Sequence, residues 1–328
     1  MEFRDKKILV TGATGLIGWH LVKELLKEGA VVYAMGRNIA KLERVFKDVK
    51  LGENIKLVEG NIAESLKDYG VEFDFIFHAA SPIAGLEIKE KPVDTISANL
   101  QGTINCLEQL KKQKRGRLVV FSSATVYGNS VTEEKSVKEE ETEFADALHT
   151  GNTPYSESKR MIEVIARAYN KQYSVDSVIV RIGYVYGFIR PYPNTAFYEF
   201  INKAIEGNDI VLNNSGMARR DNIHVDDVIC GLTTVARKGV AGESYNISSN
   251  GDNGNYRAID EIAKTIAESI NSLKGDEIKS VEAVIKPFDG IRKPGIRLNN
   301  EKLKALGWKP EIDLNEGILE TVRKYMEN

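Results

Sequence analysis

Short apolar runs alternate with longer amphipathic stretches through the first half of this chain. Lys7–Thr11 is the first run, and Leu16–Glu28 follows with helical spacing that stops at Gly29. The rhythm repeats as a strand at Val31–Met35, a helix at Ile39–Asp48, and strands at Ile55–Glu59 and Phe73–Phe77. Pro92 opens a long helical stretch to Gln113, as proline does in a first turn. A strand at Arg117–Phe121, a helix at Tyr155–Gln172 and a strand at Ser177–Arg181 complete the series. Strands that are apolar on both faces and separated by helices predict a parallel sheet covered on both sides. The expected class is therefore α/β with a doubly wound sheet.

Past about Gly183 the rhythm breaks at Pro191, Pro193 and Asn194. Helices are expected at Ala196–Glu206, Val225–Ala236 and Ile259–Ile270, and from Leu314 onward. The division predicted is a dinucleotide-binding domain over residues 1–182 and a smaller mixed α/β substrate domain over 183–328, interleaved with the sheet. The acidic run Thr132–Asp146 reads as a solvated surface loop, with a lid over the site as the alternative.

Composition narrows the class without naming a chemistry. With 42% hydrophobic and 28% charged residues the chain is an ordinary globular one, and a net charge of −2 gives no drive toward nucleic acid or anionic membrane. No apolar run has the ~18 residues of a spanning helix, and no secretory h-region follows Met1, so a cytoplasmic location is expected. Cys106 and Cys230 lie far apart in apolar helical stretches; small core residues are expected there, with neither a disulfide nor a metal site.

Chemistry enters with Thr11-Gly-Ala-Thr-Gly-Leu-Ile-Gly18, which joins the first strand to the first helix. Gly12 permits a tight turn, Gly15 lets backbone approach a pyrophosphate, and Gly18 allows close helix–strand packing. A dinucleotide site is the reading, hence a Rossmann fold. After the second strand, Gly36-Arg37 replaces the carboxylate that would hold a ribose 2′-hydroxyl. A guanidinium there suits a 2′-phosphate, so NADP is preferred over NAD. Asn61-Ile62 is placed to receive the adenine.

Tyr155 and Lys159 stand four apart and share a helical face. A phenol ionises near pH ~10, and an adjacent ammonium favours the phenolate. From these two residues alone, a solvated helix face is an equal reading.

Taken together, the chain resembles the extended short-chain dehydrogenase/reductase family, the nucleotide-sugar epimerases, dehydratases and reductases. The matching pieces are Thr11–Gly18, His78-Ala-Ala, Asn99, Phe121-Ser-Ser-Ala-Thr-Val-Tyr-Gly128 and Tyr155-x-x-x-Lys159. Arg220-Asp-Asn-Ile-His-Val-Asp-Asp227 and Leu298–Trp308 match as well. The resemblance implies Tyr155 as acid/base, Lys159 holding the nicotinamide ribose and depressing that phenol, and Ser123 bonded to the same sugar oxygen. Its implied cofactor contacts are Gly12, Thr14, Gly15, Leu16, Ile17, Gly36, Arg37, Asn61, Ile62, His78, Ala79, Ala80 and Asn99, with Tyr155 and Lys159. For a nucleotide-diphosphate sugar the implied contacts are Ser81, Ser123, Ala124, Tyr184, Arg220 and Arg292, with Arg297 a further candidate. A surface ion pair with Asp221 is the alternative for Arg220. His224 and Asp226-Asp227 are expected to cap and pack a helix. Dimerisation through Pro92–Gln113 and Tyr155–Gln172 is implied by analogy.

Two departures from the family pattern carry information. The 4,6-dehydratases usually have an Asp-Glu pair where Ala124 and Thr125 stand, and neither of these supplies a carboxyl group. Tyr184 stands where many relatives have Asn, which alters the sugar pocket. The expected reaction is reversible hydride transfer at C4, by an epimerase or an NADPH-dependent keto-sugar reductase; a redox sensor without chemistry is the remote third reading.

Overall fold

The computed structural model describes residues 3–47, 49, 54–64, 66, 69–82, 85–128, 134–142, 151, 153–274, 280–285 and 295–327. In chain order it begins β1 (Lys7–Thr11), α1 (Leu16–Lys27), β2 (Val31–Gly36), α2 (Ile39–Phe46), β3 (Ile55–Glu59), β4 (Phe75–His78), α3 (Gly85–Glu90) and α4 (Pro92–Gln113). Next come β5 (Arg117–Ser123), β6 (Lys135–Val137), α5 (Thr153–Tyr173), β7 (Asp176–Ile182), β8 (Tyr184–Tyr186), α6 (Ala196–Ile205), β9 (Ile210–Val211) and β10 (Arg219–His224). The chain then continues as α7 (Val225–Lys238), β11 (Ser244–Ile247), β12 (Tyr256–Ala258), α8 (Ile259–Leu273), β13 (Ala283–Val284), β14 (Ile296–Leu298), α9 (Glu301–Lys304) and α10 (Leu314–Met326).

Seven parallel strands form the central sheet in the order β11-β7-β5-β4-β1-β2-β3. The apolar runs of the inner strands are continuous because those strands are buried on both faces, whereas β3 at the sheet edge is partly exposed. Ile8 and Val10 of β1 join one core cluster, with Leu21 and Leu25 of α1 and Val228 and Leu232 of α7. Leu9, between them, joins the other, with Leu107 and Leu110 of α4 and Ile162 and Ala166 of α5. Strand order reverses between β1 and β4, and a crevice opens there at the carboxyl ends of the strands. β11 comes from beyond residue 183, yet it pairs with β7 at the sheet edge. The smaller lobe contains the sheet β12-β10-β8 and the pair β13-β9, with α6 and α8.

Several expected boundaries moved for tertiary reasons. β5 runs on to Ser123 because Ser122 and Ser123 pair with Arg181 and Ile182 of β7, a register no apolar count reveals. β4 starts at Phe75, two residues later than its pattern suggested. Part of the acidic run is not a solvated loop: Lys135–Val137 pairs with β14, and the buried Glu139 carboxylate accepts from the Asn246 amide at 2.9 Å. Cys106 is buried as expected, but Cys230 is exposed, on the solvent side of α7. Among the described residues no helix is long and apolar enough to cross a membrane.

Candidate active site

A cavity of about 1120 Å³ lies along that crevice and reaches into the smaller lobe. Thr14, Gly15, Leu16 and Ile17 line its floor at the start of α1. Gly12 has φ +67°, and a Cβ there would sit 2.7 Å from the Ala80 backbone nitrogen. A Cβ on Gly18 would overlap the Gly12 carbonyl oxygen, so the loop and helix close only on glycine. These positions hold backbone N–H groups at a helix N-terminus, which is a cradle for a phosphate dianion. The residues present therefore fit a dinucleotide pyrophosphate.

Met35, Gly36, Arg37, Asn61 and Ile62 line one end of the cavity, with Ala79 and Ala80 behind the glycine loop. The Asn61 side chain also works locally, accepting from Ala63 N at 3.2 Å and donating to Glu64 at 3.3 Å. Lys41 lines the same end and was missed in the sequence. The Asn38 side chain caps α2 by accepting from the Lys41 amide at 2.8 Å, and Lys41 lines the cavity along with Arg37. Arg37 and Lys41 are four apart across a helix start, a spacing that sequence could have signalled.

At the opposite end Ser123, Tyr155 and Lys159 converge on the cavity from the end of β5 and the first turns of α5. Lys159 Nζ donates to the Phe121 carbonyl at 2.7 Å and stands 5.5 Å from the Tyr155 ring centre. The Ser123 oxygen accepts from Thr125 N at 3.2 Å, capping the 3-10 turn Ala124–Tyr127. Burial pushes the Lys159 ammonium down to about 7. Burial also raises the Tyr155 phenol, against a lowering hydrogen bond from Ser123. The expected depression of the phenol by Lys159 is thus not the dominant effect. One low-dielectric site disfavours both ions, and Ser123 is what favours the phenolate.

Asn99 and His78 stand behind the cavity wall. Ser81 Oγ donates to Asn99 Oδ1 at 2.8 Å, Asn99 Nδ2 donates to Ser158 Oγ at 2.8 Å, and Ser158 Oγ donates to the Tyr155 carbonyl at 2.8 Å. That relay ties the loop after β4 to the turn bearing Tyr155. His78 Nδ1 pairs with Thr11 Oγ1 at 2.9 Å, and Thr11 Oγ1 accepts from Ala80 N at 3.2 Å. Burial, with Lys159 second, lowers the His78 imidazole to about 3, so it is neutral and shapes the loop.

In the smaller lobe, the Arg220 guanidinium lies 4.8 Å over the Tyr184 ring and donates to the Arg219 carbonyl at 2.9 Å; both side chains line the cavity. The ion pair considered for Arg220 does not form. Asp221 is buried and instead accepts from Ser249 Oγ, from Gly251 N at 3.1 Å and from Leu298 N at 2.8 Å. Ser81 lines the cavity too, whereas Ala124 packs against Val126, Tyr127, Val137 and Leu298. Arg297 lies 5.6 Å over the Tyr256 ring, away from the cavity lining. Arg292 is outside the described residues. Asp227 accepts from Glu311 N and Ile312 N, both at 3.1 Å, so it packs the C-terminal segment onto α7.

A profile of the NAD dependent epimerase/dehydratase family matches residues 8–248, which include the glycine loop, Ser123, Tyr155, Lys159 and Arg220. The chain belongs to that family. Among curated relatives of this epimerase/dehydratase chain is UDP-glucuronic acid decarboxylase 1 of Xenopus tropicalis, 31% identical over 98% of this chain and 73% of the relative. Another is the dTDP-D-glucose 4,6-dehydratase of Homo sapiens, 26% identical over 98% of this chain and 91% of the relative. Among solved structures, the Bordetella bronchiseptica enzyme WbmF in complex with NAD+ superposes with a TM-score of 0.77 at 25% identity, covering 99% and 94% of the two chains. The UDP-glucose 4-epimerase of Thermotoga maritima, solved with UDP-glucose, shares the fold with a TM-score of 0.79 at 23% identity, covering 98% and 99%.

Proposed function

We propose that this family member is a nucleotide-sugar epimerase that works by transient hydride transfer at C4. The observation that carries the reading is the convergence of Ser123, Tyr155 and Lys159 on one end of the cavity, with Ala124 and Thr125 beside them. A bound NADP or NAD supplies the hydride acceptor and donor. Tyr155 takes the C4 hydroxyl proton as hydride leaves and gives it back as hydride returns to the other face. Ser123 offers its one hydroxyl hydrogen to whichever of the two oxygens, sugar or phenol, carries the charge as the proton moves between them. Lys159 binds the nicotinamide ribose. Ala124 and Thr125 offer no carboxyl group for eliminating water, which supports this reading over that of a 4,6-dehydratase. A test is incubation of a nucleotide hexose with a trace of cofactor: the C4 epimer should accumulate. Stoichiometric loss of reduced nicotinamide absorbance on a 4-keto sugar would contradict the epimerase.

That second outcome is the reductase reading, which Arg37 and Lys41 favour because two cations beside Gly36 suit the 2′-phosphate of NADPH. Replacing Arg37→Asp together with Lys41→Ala should shift kcat/KM from NADP toward NAD by about 100-fold, the scale of two charge-assisted contacts. An unchanged ratio would remove the NADP preference.

The nucleotide diphosphate is assigned to Arg220, whose guanidinium faces the cavity with its plane braced on Tyr184. Arg220→Ala should raise the KM for the nucleotide sugar about 10- to 100-fold with kcat within a few-fold. An unaltered KM would place the diphosphate elsewhere.

A homodimer is proposed on α4 and α5, which expose Val93 and Ile96, and Met161 and Val164, respectively. Val164→Glu should give a monomer by analytical ultracentrifugation; a wild-type chain already monomeric at micromolar concentration would rule the dimer out. A cytoplasmic location goes with this reading, and recovery in a membrane fraction would contradict it.

A further inference from the structure

Behind the three reacting side chains lies a buried ionic network that the chemistry above does not use. Tyr155, Lys159 and Glu163 recur every fourth residue, so they form one stripe along α5. Glu163 is buried. Its Oε1 accepts from Ser122 Oγ at 2.6 Å and from Arg181 Nε at 2.8 Å; its Oε2 accepts from Arg181 Nη2 at 2.7 Å and from Arg167 Nη1 at 3.2 Å. Arg181 donates onward to the Tyr127 hydroxyl at 2.9 Å and the Glu139 carbonyl at 2.6 Å. The Tyr127 hydroxyl donates to Asn246 Oδ1 on β11 at 2.7 Å.

One carboxylate therefore joins the elements that carry the site. It holds the strand residue next to Ser123, the helix bearing Tyr155 and Lys159, and the strand that runs on to Tyr184. Both Ser122 and Ser123 line the cavity, but successive side chains of β5 point to opposite faces, and the Ser122 hydroxyl is the one that meets Glu163 of α5. A buried ion pair is weak evidence for stability, since apolar residues of the same volume often serve as well. What apolar packing lacks is direction.

We propose that Glu163 and Ser122 are positioning residues for the reaction: their hydrogen bond sets the end of β5 against α5 and so holds Ser123 at the end of the cavity where Tyr155 stands. The network acts through Ser123, and its Glu163 and Arg181 stand outside the cavity lining. It rests on the acid/base reading of Tyr155. Because the Ser123 hydrogen bond is the lowering influence on the phenol, a slack β5 end moves phenol ionisation upward.

Ser122→Ala removes one hydrogen bond and leaves the Glu163–Arg181 pair intact. The expected result is a kcat lower by about tenfold, the factor one misplaced hydrogen bond brings. The acid limb of the kcat–pH profile should move to higher pH by at least about half a unit, with KM values for cofactor and nucleotide sugar within about twofold. Ser122→Thr, which keeps the hydroxyl, should restore both the rate and the limb. The double variant Glu163→Leu with Arg181→Met should fold and show the same kcat loss and limb shift, because it removes the direction without leaving a buried unpaired charge. If Ser122→Ala melts normally and keeps the wild-type kcat and acid limb, the positioning role is refuted; that outcome stands even if the double variant fails to fold. If Tyr155→Phe retains turnover, the acid/base reading itself has failed, and the two failures are distinct.

Discussion

Tyr155→Phe is expected to lower kcat by about 10³-fold while cofactor affinity changes little, in the range one general acid/base contributes. The phenylalanine ring fills the same place at the start of α5, so the helix and the Lys159 bond to the Phe121 carbonyl persist. On the proposed reaction, what disappears is the group that carries the C4 proton in both directions. Cofactor titration followed by fluorescence, beside the turnover assay, checks both halves. Wild-type turnover would remove Tyr155 from the chemistry.

The second large effect is expected from Gly12→Ala. The backbone there has φ +67°, which costs a non-glycine residue on the order of 1–3 kcal/mol, and the new Cβ would sit 2.7 Å from the Ala80 nitrogen. Ala80 N also donates to Thr11 Oγ1, so moving it disturbs the loops on both sides of the pyrophosphate cradle. Cofactor affinity should fall by about 100-fold or more, equivalent to about 3 kcal/mol. Calorimetric binding and thermal melting separate the two consequences. Binding within about twofold of wild type would mean that this turn does not face the cofactor.

The first half of the fold was legible because its signals are local. Continuous apolar strands need two covers, and α1 and α7 supply one while α4 and α5 supply the other. Of the site residues that motifs pick out, Gly12, Ser123, Tyr155 and Lys159 meet along one cavity because each sits at or just past the end of a strand or in the first turns of a helix; Arg220 reaches it from the start of β10. Long-range pairing was not legible. Nothing in Lys135–Val137 announces a partner at Ile296–Leu298, and the charge of Glu139 argues for solvent, although Asn246 and the β11 edge bury it. Cys230 looked like a core residue by its apolar neighbours, but the turn of α7 points it outward. Lys41 was missed although its spacing from Arg37 is visible, because the helix start between them is set by the cap at Asn38 and not by a motif. Where sequence suggested a phenol lowered by Lys159, burial has the larger influence. Charge attraction was counted in the sequence, and desolvation, which needs the burial of both groups, was not.

The central claim is that one hydride leaves C4 and returns to the same carbon inside one site. Its most direct test is a nucleotide hexose carrying deuterium at C4, converted with unlabelled cofactor at substoichiometric concentration. The account predicts a C4-epimeric product that keeps its deuterium and gains none at C5 in heavy water. Loss of the C4 label, or a deuterium from solvent at C5, would contradict it.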